Sequence, residues 1–304
     1  MDYPYQTVDV FTDTRFGGNP LAVVTDARGL SDAQMQQIAA EFHYSETTFV
    51  LPPTRPDTTA RVRIFTPTAE VPFAGHPNVG TAFVLAQQGS IFGRPVGIEM
   101  RFEEAAGLVV VRVEREGEIV RGAAITAPQP LTIGPELPAE VVAACASLDP
   151  RDIALTTHPP RLVSVGLSFV VAELTSREAL ARARPNLQRF TEASQAYPHS
   201  EADLSLFLYT PLDTTGNTLA ARMFAPLDDV PEDPATGSAS AALAAYRVAL
   251  SPAADEEITL VIHQGEDMGR PSRIEVAVRK AAGRVEEVMV RGVCVPVMRG
   301  VLTL

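Results

Sequence analysis

Two places in the chain set polar and titratable residues at the mouth of an apolar helix. In VPFAGHPNVG, Gly75 and His76 precede NVGTAFVLAQQ, and in PEDPATGSAS, Asp233, Thr236, Gly237 and Ser238 lead into the nearly uncharged AALAAYRVAL. The first backbone N–H groups of a helix have no partner within it, and the aligned peptide dipoles leave a partial positive charge there, so an anion is welcome. Gly75 and Gly237 carry no Cβ and let a ligand come close to the backbone. His76 can donate or accept a proton near neutral pH, and Asp233 is its expected counterpart in the second stretch. A third place is FHYSETTFV, where Glu46 lies between a helix end and an apolar strand, a setting in which a half-buried carboxyl can act as acid or base. Each residue also has an ordinary reading: glycines for tight turns, Asp233 and Glu232 complementing a helix dipole, Ser238 as a first-turn residue, Glu46 solvated.

The elements that must position these groups show an internal repeat. Arg63-Ile64-Phe65-Thr66-Pro67 is echoed by Arg222-Met223-Phe224-Ala225-Pro226, and Glu70-x-Pro72-x-x-Gly75 by Glu232-x-Pro234-x-x-Gly237. Both copies then enter an apolar helix, expected over 78–88 and 239–250, so the chain reads as a duplication. Helices apolar on most faces must be surrounded, and the many strand-like runs supply the wrapping: YQTVDVF, PLAVV, TTFVL, RVRIF, VGIEMRF, LVVVRVERE and EIVRGAAI in the first half. Ser31 with Gln34 forms a capping box for a helix to about Phe42. The proline-rich APQPLTIGPELP, 127–138, reads as a linker. Beyond it come a short helix at PAEVVAACASL, strands at RLVSVG and FVVAEL, helices at SREALARA and NLQRF, and strands at LSLFLYT, LAARMF, ITLVIHQ and RIEVAVRK, before final strands in EVMVRGVCVPVMRGVLTL. The fold class is α+β: two similar domains, each a rolled sheet around a central helix. They span 1–126 and 127–304, with a C-terminal strand, about 290–304, free to return to the first domain.

A net charge of −12 over 304 residues, with no dense Lys/Arg run, argues against a nucleic-acid surface or an anionic membrane patch. A small molecule is the expected partner. No signal peptide and no membrane-length apolar run is visible, and Cys145 and Cys294 stand alone as two reduced core thiols, so a cytoplasmic protein is expected. His43, His76, His158, His199 and His263 show no metal-binding spacing, and neither a G-x-G-x-x-G after a strand nor a G-x-S-x-G elbow is present. No metal and no covalent nucleophile is expected.

VDVFTDTRFGGNPLAVV, SETTFV, RIFTPTAEVPFAGHPNVGTAFVL, MFAPLDDVPEDPATGSASAALAAY and HQGEDMGRPSRI together resemble the PhzF family, the phenazine-biosynthesis-like isomerases. The resemblance runs from near the N-terminus to about residue 274. It implies the diaminopimelate-epimerase-like fold, with the active site between two similar domains, and a homodimer. It also implies cofactor-independent isomerisation of trans-2,3-dihydro-3-hydroxyanthranilate, with Glu46 of SETTFV as acid and base. By the same motifs His76, Asp233 and Ser238 would position the substrate and assist proton transfer. Gly75, Gly237, Thr236 and Asn19 would bind it, its carboxylate lying on the amides near the two glycines.

Epimerases and racemases of the wider fold use two opposed cysteines, whereas Ala74 and Thr236 precede the two glycines here. A two-thiol racemase is therefore disfavoured. The alternatives left open are a non-catalytic binder of a small molecule or protein and an epimerase working through carboxylates, and family membership does not fix the substrate.

Overall fold

The structure is a computed structural model that describes residues 2–197 and 204–304, so His199 lies outside the described residues. The chain divides into two compact units, Met1–Thr126 with Arg291–Leu304, and Ala127–Val290.

The first unit runs β1 (Asp2–Val10), β2 (Asn19–Val24), α1 (Asp32–Phe42), β3 (Glu46–Leu51), β4 (Ala60–Phe65), β5 (Glu70–Val71), α2 (Gly75–Gln88), β6 (Ser90–Ile91), β7 (Arg94–Pro95), β8 (Glu99–Glu104), β9 (Gly107–Glu116) and β10 (Ile119–Thr126). In the sheet β1 and β2 are antiparallel, β2 and β3 parallel, β3 and β4 antiparallel, β4 and β8 parallel, and β8, β9 and β10 form an antiparallel meander. The last strand of the chain pairs with β1 and with β10 and closes the roll. Closure brings two backbones together at Gly122 and Gly292, where a Cβ on Gly122 would lie 1.9 Å from the Gly292 carbonyl oxygen. Only glycine fits. Inside the roll α2 is buried from Gly75 to Ala86 and packs on β1, β2, β3, β9 and β10. Outside, α1 begins at the Ser31–Gln34 capping box and lays Met35, Ile38 and Ala39 on Phe49, Leu51 and Phe65. Strand alternation makes this division: in β3, Phe49 faces α1, whereas Glu46 and Thr48 face α2, and Thr48 Oγ1 meets Thr81 Oγ1 at 2.8 Å.

The second unit continues with β11 (Thr132–Glu136), α3 (Ala139–Cys145), β12 (Arg161–Ser164), β13 (Ser168–Glu173), α4 (Arg177–Arg182), α5 (Leu187–Ala196), β14 (Leu206–Pro211), β15 (Thr218–Ala225), β16 (Val230–Asp233), α6 (Gly237–Leu250), β17 (Glu256–Gln264) and β18 (Ser272–Ala281). β19 (Arg284–Thr303) begins here and passes into the first unit at Arg291. The pairing order repeats that of the first unit: β12–β13 antiparallel, β13–β14 parallel, β14–β15 antiparallel, β15–β17 parallel and β17–β18 antiparallel. The α6 helix, rich in alanine and almost wholly buried, packs on β12, β13, β17 and β18 as α2 does in its own sheet. The duplication read from the repeat is therefore a duplication of sheet topology.

Three local expectations need correction. The proline-rich 127–138 segment is not bare linker, because Thr132–Glu136 pairs with β12 and its Gly134-Pro135 fall in an irregularity of the register. The central helices start earlier than 78 and 239, at Gly75 and Gly237, so the glycines are first helical residues. The final strands are one continuous strand, β19.

Candidate active site

The repeated R-x-F and E-x-P-x-x-G motifs build the approach to each central helix. Arg63 on β4 forks onto Glu70 of β5 at 2.7 and 2.6 Å and lies 5.1 Å from the centroid of the Phe65 ring. Arg222 on β15 does the same with Glu232 of β16, at 2.7 Å through both nitrogens, and lies 5.0 Å from the Phe224 ring. Bidentate charge-assisted bonds fix the hairpin, and the chain can only leave it into the helix start.

In the first unit that start is Ala74-Gly75-His76-Pro77-Asn78. Ala74, the N-cap residue, is extended (φ −151°, ψ 144°) and has no side chain able to cap. The first-turn amides of Gly75, His76 and Asn78 thus face outward without a capping acceptor, while Pro77 has no N–H. Glu46, first residue of β3, stands beside them, with its Oε2 3.5 Å from His76 Nδ1. The Glu46 side chain keeps 19% of its surface exposed and His76 only 5%, and the Glu46 Oε2 that faces the ring is itself buried. Burial pushes the His76 pKa down to about 3, against the pull of the Pro20 carbonyl, so the ring is neutral at physiological pH. Its Nε2 is buried without a hydrogen-bond partner. Asn19, at the start of β2, is fully buried and accepts from Ser45 Oγ at 3.4 Å, next to Glu46.

In the second unit Thr236 is the N-cap residue and likewise makes no capping bond to α6. Its hydroxyl donates instead to Asp233 Oδ2 at 2.5 Å, and its N–H donates to Gln264 Oε1 at 3.0 Å. Gln264 Nε2 donates to the Asp233 carbonyl at 2.7 Å and to Thr236 Oγ1 at 3.0 Å. Asp233 is 6% exposed and Ser238, second residue of α6, is half-buried. Position for position, the residue that matches His76 is Ser238, since each follows the helix-opening glycine. Asp233 matches Val71 at the end of the short hairpin strand, which corrects the expected pairing of Asp233 with His76.

Each unit thus assembles its own group: Asn19, Glu46, Gly75 and His76 in the first, Asp233, Thr236, Gly237 and Ser238 in the second. Sequence reasoning missed what holds the second group. Gln264 is 1% exposed and bonds three atoms of the Asp233–Thr236 turn; Gly265, at φ +76°, brings its Cα so close that a Cβ would lie 2.6 Å from the Pro234 carbonyl; Ser272 Oγ donates to that carbonyl at 2.9 Å. All three lie in HQGEDMGRPS, and a buried Gln-Gly pair ending a strand was the signal. Also missed was Glu104, the last residue of β8, both of whose carboxyl oxygens are buried without a hydrogen-bond partner. Cys145 and Cys294 are buried and free, and burial raises both thiols, Cys145 to about 11, so neither is a nucleophile. Among the described residues no group of three or more His, Cys, Asp or Glu side chains is placed to hold a metal ion.

A duplicated rolled sheet, each half wound around a buried central helix, is the diaminopimelate-epimerase-like architecture. Within it, the sequence profile described as phenazine biosynthesis-like protein, PhzC-PhzF, matches residues 8–300. The chain is 38% identical to an uncharacterized isomerase of Mesorhizobium japonicum over 98% of each sequence. It is 33% identical to the trans-2,3-dihydro-3-hydroxyanthranilate isomerase of Pseudomonas aeruginosa, over 95% of each. The crystal structure of a PhzF-family phenazine biosynthesis protein of Bacillus anthracis superposes with a TM-score of 0.86 at 24% identity, covering 100% of both chains. The chain belongs to the PhzF family of phenazine biosynthesis-like proteins. Membership carries the class of chemistry, isomerisation of a small carboxylate by acid and base.

Proposed function

We propose that the chain is a cofactor-independent isomerase that relocates a proton within a small unsaturated carboxylate, trans-2,3-dihydro-3-hydroxyanthranilate or a related compound. Glu46 is its acid and base. The observation that carries this reading is the partly exposed Glu46 side chain, whose buried Oε2 lies 3.5 Å from the neutral His76 imidazole at the uncapped start of α2.

In the reaction, the Glu46 carboxylate takes a proton from a substrate carbon, and the C–H electron pair moves into the conjugated system. The resulting carboxylic acid returns the proton to the far end of that system. No atom is gained or lost, and Glu46 ends as it began. Neutral His76 orients the carboxyl without trapping it in a permanent ion pair, which would lower its basicity. The open amides at Gly75 are assigned to the substrate carboxylate and Asn19 to its neighbourhood. Asp233, Thr236, Gly237 and Ser238 take substrate-holding roles on the family resemblance. A cytoplasmic homodimer completes the reading on resemblance and composition.

The test is proton NMR in D₂O with trans-2,3-dihydro-3-hydroxyanthranilate, comparing the wild-type protein with Glu46→Gln. Isomerisation with deuterium incorporation in the wild type, lost in a folded variant, is the expected result. A variant that keeps the rate removes Glu46 from the mechanism. If the wild type leaves this compound alone but exchanges deuterium into another carboxylate in a Glu46-dependent way, the acid/base reading stands and the substrate changes.

A further inference from the structure

The polar groups at the start of α6 form a hydrogen-bond relay whose hydrogens can be assigned one by one. Gln264 ends β17, beside Ala221 of β15 and opposite Ser272 of β18, and is 1% exposed. Its Oε1 accepts from the Thr236 N–H, a group that can only donate, and its Nε2 donates to the Asp233 carbonyl, a group that can only accept. These two backbone partners forbid a flipped amide. Nε2 therefore turns its second hydrogen to Thr236 Oγ1, at 3.0 Å. A hydroxyl has one hydrogen, and with Nε2 donating to it the Thr236 hydroxyl directs its own to Asp233 Oδ2, at 2.5 Å. The relay runs one way, from amide to hydroxyl to carboxyl. All three members are buried, where successive hydrogen bonds polarise one another.

Thr236 has no hydrogen left for a ligand. Its N–H is on Gln264 and its O–H is on Asp233, so it cannot donate to a substrate carboxylate, which only accepts. Gln264 is itself held in place: Gly265, at φ +76°, follows it, and Ser272 Oγ meets the Pro234 and Arg270 carbonyls at 2.9 and 3.1 Å. In the first copy the same position is filled differently. Arg61 pairs with Glu103 and Ala220 with His263, and Arg61 lies two residues before Arg63 as Ala220 does before Arg222, so Glu104 stands where Gln264 does. There Ala74 and Val71 take the places of Thr236 and Asp233, and both Glu104 oxygens are without a hydrogen-bond partner. The relay belongs to the second copy.

We propose that Gln264 is a positioning residue that acts on Asp233 through Thr236, fixing the direction of the Thr236 hydroxyl and with it the setting of the Asp233 carboxyl. Thr236 serves the site as a member of this relay and not as a contact to the substrate. That Asp233 then meets a substrate rests on the proposed function; that Gln264 sets it does not.

The experiment follows the Asp233 side-chain carboxyl carbon by NMR in the wild type, Thr236→Ser, Thr236→Val, Gln264→Leu and the double variant Thr236→Val with Gln264→Leu. The expected result is a wild-type position in Thr236→Ser, which keeps the hydroxyl, and a displaced one in Thr236→Val and in Gln264→Leu. The double variant should fall short of the sum of the two displacements, because the residues act in one relay. A carboxyl carbon unmoved by either single variant overturns the proposal, as do displacements that add. On a carboxylate that the wild type turns over, Thr236→Val and Gln264→Leu should each lower kcat by about 10–10²-fold, and Thr236→Val should cost nothing more in an Asp233→Asn background. A KM raised by Thr236→Val in that background as well makes Thr236 a direct substrate contact and overturns the proposal. A protein inactive on every carboxylate tried would sink the proposed function, while the carboxyl-carbon comparison would still decide this one. Should Gln264→Leu fail to fold, deuterium exchange in the wild type decides: the Thr236 N–H and both Gln264 side-chain N–H hydrogens should exchange only with global unfolding, and faster loss of either side-chain hydrogen overturns the relay.

Discussion

The two Arg–Glu forks are the same motif in two solvent environments, and their energetic contributions differ by an amount the structure sets. Arg222 and Glu232 have side chains 4% and 16% exposed, whereas Arg63 and Glu70 are 19% and 35% exposed. Removing Glu232 leaves a buried guanidinium with the Leu180 and Ala183 carbonyls at 3.0 and 2.8 Å and a distant Asp267 oxygen at 3.9 Å. Breaking a buried pair in this way costs about 3–5 kcal/mol, and the remaining acceptors put Glu232→Gln near the lower end, about 3 kcal/mol. Glu70→Gln leaves Arg63 its bond to Asp32 at 2.5 Å in a wetter place and costs about 1 kcal/mol or less. At about 2–4 °C per kcal/mol for a unit of this size, differential scanning calorimetry should show losses of about 6–12 °C for Glu232→Gln and no more than about 4 °C for Glu70→Gln. Equal shifts in the two variants would refute the argument that burial decides the value of the fork. The double variant Glu232→Leu with Arg222→Met should recover only part of the loss, because it removes the buried charge but strands the α4 carbonyls.

Glu46→Gln should lower turnover by about 10²–10⁴-fold, measured by deuterium incorporation, with thermal stability little changed because the side chain is partly exposed. Replacing Glu104 should change how stability depends on pH. Its folded pKa, about 8 against 4.5 when unperturbed, means the native state binds more protons than the unfolded chain between those values, so this group erodes stability as pH rises through that window. The loss at pH 7 is on the order of 3 kcal/mol, and urea titrations of Glu104→Gln should lack this decline between pH 4.5 and 8; parallel curves would contradict it. His76 works with the opposite sign. Its folded value of about 3 lies below the ordinary 6.5, so the unfolded chain takes up the extra proton and stability falls as pH drops from 6.5 toward 3, a slope that His76→Gln should remove in the same assay.

The duplication was legible because it rests on backbone-determining residues: an arginine and an acid that must meet across a hairpin, a proline, and a glycine that opens a helix. The helix starts were placed too late because Pro77 and two glycines in seven residues read as turn, although proline is acceptable in a first turn and tertiary enclosure supplies what propensity lacks. β11 was hidden by prolines that a register irregularity absorbs. Asp233 and Ser238 could be read as site residues, but not their order against His76, since that depends on which residue follows the helix-opening glycine. Glu104 escaped because it ends β8 as a polar residue in phase with Met100 and Phe102, and VGIEMRF stops short of it. Gln264 lies within the strand ITLVIHQ, but a polar residue at a strand end reads as solvated, and its burial is set by the Asp233–Thr236 turn, which comes from a distant part of the chain.

Pairing register carries one further step, from fold to reaction course. In the first unit Thr47 pairs with Phe65, and in the second Leu206 pairs with Phe224, the matching phenylalanine of the repeat. One residue earlier, Glu46 therefore corresponds to Ser205, which is buried at 8% exposure. The helix-start residues correspond as His76 and Ser238, and the residues before the glycines as Ala74 and Thr236. A proton exchange with one base on each face of the substrate would draw a titratable group from equivalent positions of both copies. Each of these pairs has such a group in one copy or in neither, and Glu70 and Glu232, the acids that both copies share, are held by Arg63 and Arg222. Asp233, which matches Val71, has its Oδ2 already accepting the Thr236 hydroxyl at 2.5 Å. On the proposed function the duplicated frame is chemically one-sided, with Glu46 as both acid and base. A single carboxyl must deliver the proton to the face from which it took it. With a substrate deuterated stereospecifically at the carbon that loses its proton, the new C–H bond should form on the same face, which proton NMR of the product can read. Delivery to the opposite face would require a second acid, and the assignment of Glu46 as both acid and base would then fail.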